Sequence, residues 1–122
     1  MEDLHPELTR AIAEIAYATA KSDGHLQDEE RDAFNNIIKE ELGDAALEAI
    51  ERFELLEKDL DAEMIQAYRG ALSRLKRHRR YLNDDIKQKF LDVMKKVASS
   101  YDGTEAAESI FIRKFKKDLK SL

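Results

Sequence analysis

A chain of 122 residues has the length of one domain, enough to bury about 65% of the surface its unfolded form exposes. Charged residues make up 39% and apolar ones 43%, with one proline, four glycines and no cysteine. That composition disfavours a turn-rich β fold and excludes disulfides, thiolate nucleophiles and cysteine–zinc sites. The net charge of −5 hides a polarity: residues 1–61 carry 6 Lys/Arg against 18 Asp/Glu, and residues 62–122 carry 15 against 8. The first half repels nucleic acid and attracts cations. The two halves attract each other, within one fold or head to tail between molecules. No apolar run reaches the roughly 18 residues of a membrane span. The first residues, Met1-Glu2-Asp3, are acidic, unlike a signal peptide. A cytoplasmic chain is expected.

Apolar spacing is helical nearly throughout. Leu8, Ile12, Ile15 and Thr19 follow the i, i+3/i+4 rule behind Pro6, which the first turn tolerates. Phe34, Ile37, Ile38 and Leu42 mark a second helix, with Gly43 where a C-terminal cap belongs. Asp44 is placed to cap a third, bearing Leu47, Ile50 and Phe53, and Asp61 a fourth, with Met64, Ile65, Tyr68, Leu72 and Leu75. Asn83 caps a fifth, with Ile86, Phe90, Val93, Met94, Val97 and Tyr101. Thr104 opens the last, with Phe111, Phe115, Leu119 and Leu122 along one side. Strict period-2 alternation is absent. The expectation is an all-α, compact single-domain bundle of about six helices over residues 1–122.

Helix, Asp-Gly, helix occurs twice, at Ser22-Asp23-Gly24 and at Tyr101-Asp102-Gly103. Two such hairpins facing each other make a pseudo-twofold repeat. The first can be set against a calcium loop, with Asp23, Gly24, Leu26 and Glu30 at the fifth, sixth, eighth and twelfth positions. Thr19 and Lys21 then occupy the first and third, where calcium needs oxygen ligands and a lysine repels it, so this is half of such a loop. A reading without any ion also accounts for these residues. Gly24 makes the left-handed turn that ends one helix. Asp28, Glu29 and Glu30 sit in the first turn of the next, where the dipole favours each by about 0.3–1 kcal/mol.

The half that remains, Ile15-Ala16-Tyr17-Ala18 followed by Asp23-Gly24-His25-Leu26 and Glu30, resembles the tellurite-resistance TerB family. In that family an alanine-rich helix end is followed by Asp-Gly-x-apolar-x-x-x-Glu opening the next helix. The resemblance is clearest over residues 11–42 and extends to 86–119. In the second hairpin Glu105 takes the apolar position and Glu108 comes one residue early. Related domains stand beside DnaJ-like co-chaperone modules, so the resemblance implies stress-linked interaction rather than catalysis. It further implies Asp23, Glu30, Asp102 and Glu108 as ligands for calcium or another divalent cation.

The basic run Arg74-x-Lys76-Arg77-His78-Arg79-Arg80 points all round an ideal helix, which assigns it to capping a helix C-terminus rather than to phosphate contact. Arg113, Lys116, Lys117 and Lys120 gather on one face of the last helix. Three scattered histidines, no Gly-rich phosphate loop and no nucleophile framework leave no catalytic constellation. The expected function is a non-enzymatic binding or sensing module. It engages partner proteins through Asp28 and Glu29, and acidic partners through Lys116 and Lys117. Two alternatives stand beside it: a homo-oligomerisation domain held by the charge polarity, and anionic-ligand or membrane-surface binding through the last helix.

Overall fold

His5 opens the first helix, α1 (Pro6–Lys21): its Nδ1 accepts the Glu7 amide at 3.1 Å, and its carbonyl accepts the amides of Leu8 and Thr9 at 2.9 and 3.1 Å. The computed structural model describes residues 5–21, 28–60, 63–102 and 110–122. Next comes α2 (Asp28–Leu42), which Gly43 ends at φ +52°, a left-handed conformation that glycine adopts without a Cβ penalty. A short 3-10 turn, Gly43–Ala45, leads into α3 (Ala46–Glu54), and the chain continues without a break through a π-helical stretch, Leu55–Leu60. After α4 (Met64–Arg77) a second 3-10 turn, Arg79–Tyr81, delivers the chain to α5 (Asp84–Asp102). The last helix is α6 (Ile110–Lys120). No strand occurs among the described residues, and none of their helices is long and apolar enough to cross a membrane.

α1 is the centre of the bundle, packed by α4, α3 and α5; α2 lies on α5 and α3, and α6 on α5. The arms of the two proposed hairpins therefore meet through α5. The sequence pattern predicts one apolar stripe on α1, but every residue from Ala11 to Thr19 is buried. A helix apolar all round belongs inside a core. Ala11, Ala13, Ala16 and Ala18 keep its girth small enough for neighbours on several sides. One hydrophobic cluster runs from Leu8 through Phe34, Phe53, Leu75 and Phe90 to Phe115 and Leu119, so the six helices share a core.

Several details of the expected pattern change. Leu47 and Ile65 are 65% and 50% exposed, not core. On α3 the buried face is Ala46, Ala49 and Phe53; on α4 it is Ala67, Tyr68, Ala71 and Leu75. Asp44 lies inside the 3-10 turn and caps nothing, since α3 starts behind Ala45 with no side-chain cap. Helix α4 starts behind Glu63, also without one. Asn83 does cap α5, its Oδ1 accepting the Ile86 amide at 2.9 Å, an interaction worth about 1 kcal/mol. Asp61 and Thr104 lie outside the described residues.

Candidate functional site

The three carboxylates that open α2 are sorted by the helical period. Asp28 and Glu29 face solvent, whereas Glu30 is turned inward and only 6% exposed. Glu30 lies four residues before Phe34, which is fully buried, so both share the core-facing side of α2. Arg31 anchors this turn. Its Nε donates to Glu57 Oε1 at 2.8 Å, its Nη2 donates to Glu57 Oε2, and its Nη1 donates to Asp28 Oδ1 at 3.1 Å. The hydrogen bonds from Arg31 to Glu57 raise the guanidinium pKa further, so this cation stays charged. The π-helical stretch thus fixes the start of α2 through a two-pronged ion pair. Thr19, set against the first calcium position above, donates its hydroxyl to the Ile15 carbonyl at 2.9 Å.

Asp23 and Glu108 lie outside the described residues, as does the side chain of Asp102. Of the four carboxylates implied as cation ligands, the structure therefore places Glu30. Among the described residues no three His, Asp or Glu side chains gather as a metal site. Carboxylate oxygens are the donor type that a hard divalent cation takes, so the residue chemistry fits calcium or magnesium. Lys116 lines a groove of about 220 Å³ between the start of α5 and the end of α6, with Asp84, Leu91 and Lys120. Lys117 is exposed on the same helix. Both α2, which carries Asp28 and Glu29, and α6, which carries the two lysines, pack on α5.

A second charged constellation lies outside the sequence motifs. Glu14, 3% exposed, stands in the middle of the apolar run of α1. Its Oε2 accepts Arg52 Nη2 from α3 at 2.8 Å, and its Oε1 accepts Arg74 Nε from α4 at 3.0 Å. Arg74 also donates through Nη1 to Glu7. Arg10 donates to Glu7 Oε1 at 3.2 Å and to Glu48 Oε1 at 2.5 Å. The chain Glu48–Arg10–Glu7–Arg74–Glu14–Arg52 ties α1 to α3 and α4. The signal was present in the sequence: one carboxylate inside Ala11–Thr19, a run otherwise apolar enough to be buried on every side. Only the packing names its two partners.

Between α2 and α5, Glu41 accepts Lys89 Nζ at 2.6 Å and also accepts Lys96 Nζ. Hydrogen bonds from Lys89 and Lys96 hold the Glu41 carboxyl below its ordinary value of 4.5, and one from Arg74 does the same for Glu7, in both cases against the opposing effect of burial. Each group ionises more readily folded than unfolded, so its stabilising contribution is present above about pH 4.5 and is lost as pH falls through the lower folded value. Unfolding free energy measured by urea titration is expected to decline below pH 4.5, and Glu7→Gln with Glu41→Gln to flatten that decline. An unchanged slope in the double variant would assign acid sensitivity to other carboxylates.

The family model described as Tellurite resistance protein TerB matches residues 9–120 of the chain. No curated protein and no solved structure matches it.

Proposed function

The chain belongs to the tellurite-resistance TerB family, and from that premise we propose that it is a non-enzymatic, stress-linked binding module of the cytoplasm. It engages a partner protein through the acidic start of α2, with a divalent cation held at the first Asp-Gly hairpin. The observation that supports this reading is the split among the α2 carboxylates: Glu30 turned inward seven residues after Asp23, Asp28 and Glu29 turned outward. An inward carboxylate at a helix start is suited to ligate an ion held between helix and hairpin, and outward carboxylates on the same turn are suited to meet a partner. Asp23 would be the anchor, Glu30 the ligand from the helix, with backbone carbonyls and water completing a shell of six to eight oxygens.

The test is a calorimetric titration of chelator-stripped protein with calcium alone, then with magnesium, for the unmodified chain and for Asp23→Ala combined with Glu30→Gln. Saturable binding is expected, weakened at least tenfold in the double variant. Equal affinity in both proteins contradicts the cation site. Heat that varies with protein concentration and salt, without saturation by metal, would point instead to self-association through the charge polarity.

A further inference from the structure

The basic run at the end of α4 does not splay round a helix, because the helix stops in the middle of it. α4 ends at Arg77, His78 is a turn, and Arg79–Tyr81 is 3-10. The change of direction sorts the cations. Arg74 points into the bundle onto Glu14 and Glu7. Lys76, Arg77, Arg79 and Arg80 instead line one open groove of about 440 Å³ together with Ser73.

Among the described residues these four groups form no ion pair, and none of them donates a side-chain hydrogen bond to the terminal carbonyls of α4. Among the described residues Lys76, Arg77 and Arg79 contact no carboxylate, and Arg80 donates to the neighbouring Tyr81 hydroxyl at 2.9 Å. Arg10, Arg31, Arg52 and Arg74, by contrast, each sit on carboxylates. The terminal carbonyls of α4 are met by backbone donors: the His78 amide serves Arg74 and Leu75, both at 3.2 Å. The Tyr81 amide likewise meets the His78 carbonyl at 3.0 Å.

We propose that this corner of the fold is a binding site for an anion made of consecutive phosphoryl groups, either an inorganic polyphosphate or the phosphate tail of a nucleotide. Three arginines supply the planar forks that match phosphate oxygens, Lys76 adds a mobile point charge, and Ser73 a neutral hydroxyl donor. A single phosphate, with a charge of about −1.5 to −2, offsets about half of the four positive charges; a phosphate chain matches them. The helix dipole opposes an anion here with about −0.5 elementary charge, which four full charges on extended side chains outweigh.

The surroundings argue against larger anions. Tyr81, the exposed aromatic beside the groove, is already stacked on His5 at 4.5 Å and lies under the Arg80 guanidinium at 4.9 Å, so it offers no platform for a base. No large apolar side chain lines the groove to enter a bilayer; the other exposed ones among the described residues, Leu47 and Ile65, lie on α3 and at the start of α4.

The site is independent of the cation reading and is tested in metal-free buffer with EDTA. Amide-resolved NMR titration with sodium tripolyphosphate is expected to give saturable shifts confined to residues 73–81, with orthophosphate at least tenfold weaker. Arg77→Gln with Arg79→Gln, both exposed positions, is expected to weaken tripolyphosphate at least tenfold while leaving the helical circular dichroism unchanged. ATP equal to tripolyphosphate assigns the whole interaction to the phosphate chain, and tighter ATP identifies the nucleotide as the source. The proposal is overturned by absence of saturable shifts, by shifts centred on Lys116–Lys120, by a double variant that binds as well as the parent, or by binding to anionic vesicles with none to tripolyphosphate.

Discussion

Truncating Phe53 to alanine is expected to destabilise the protein by about 3–5 kcal/mol, measured by urea unfolding followed by circular dichroism. Phe53 is fully buried where α1, α2 and α3 meet. It stacks on Phe34 with ring centres 4.3 Å apart and the planes 20° from parallel, and it receives Tyr17 edge-on at 5.8 Å. Losing the ring removes two aromatic contacts, each worth about 0.5–1.5 kcal/mol beyond area, and opens a cavity that three helices cannot easily close. A loss below 1 kcal/mol would mean that the bundle collapses into the space. The consequence reaches the acidic end as well. Phe34 is the residue one helical turn below Glu30, so releasing Phe34 lets the start of α2 rotate. Phe53→Leu, which refills most of the volume, is expected to restore most of the stability.

The helices were legible because their apolar period is strong and each carries large side chains: Phe34 with Ile38, Phe90 with Met94, Phe115 with Leu119. At Leu47 and Ile65 size is misleading, because these large residues are exposed while small neighbours are buried. Close helix contacts here are made by alanine, because the distance between axes is set by the side chains at the crossing. Ala46 and Ala49 on α3, and Ala67 and Ala71 on α4, are therefore inside, and their larger neighbours are outside. The same effect made α1 look like an amphipathic helix when its alanines are buried too. Caps were legible where the helix start coincides with the polar residue, as at Asn83. They were not at Asp44, where a 3-10 turn moves the cap position one residue on, to Ala45. The Asp-Gly motif led to the family. What the motif could not give was the sorting of Asp28, Glu29 and Glu30, which depends on how α2 rolls against α5 and α3. Nor could helical periodicity find the basic groove, because the turn at His78 ends the helical period inside the basic run.

Replacing Glu14 by leucine is expected to cost about 3 kcal/mol, the low end of the penalty for removing one partner of a buried pair, because both arginines are partly exposed and Arg74 keeps Glu7. Two guanidiniums converge on this carboxylate, with Arg52 at 2.8 Å and Arg74 at 3.0 and 3.4 Å, and neither can shed its charge. The two are not equivalent. Arg52 Nε is buried with no acceptor among the described residues, whereas Arg74 also donates to Glu7. Arg74→Met is therefore expected to cost more than Arg52→Met. If the unpaired guanidiniums rather than lost packing are the cause, Glu14→Leu combined with Arg52→Met and Arg74→Met recovers most of the loss, since apolar groups of similar volume replace the carboxylate and both its partners while Glu7 keeps Arg10. A triple variant as unstable as Glu14→Leu would show instead that the shape of the site matters more than its charge. The network also has a second role to be read from the same proteins. Arg74 clamps the last turn of α4, the same turn that carries Lys76 and Arg77. The triple variant, even where stable, is expected to bind tripolyphosphate more weakly than the parent, because the inward ion pairs hold the helix end from which the outward cations project.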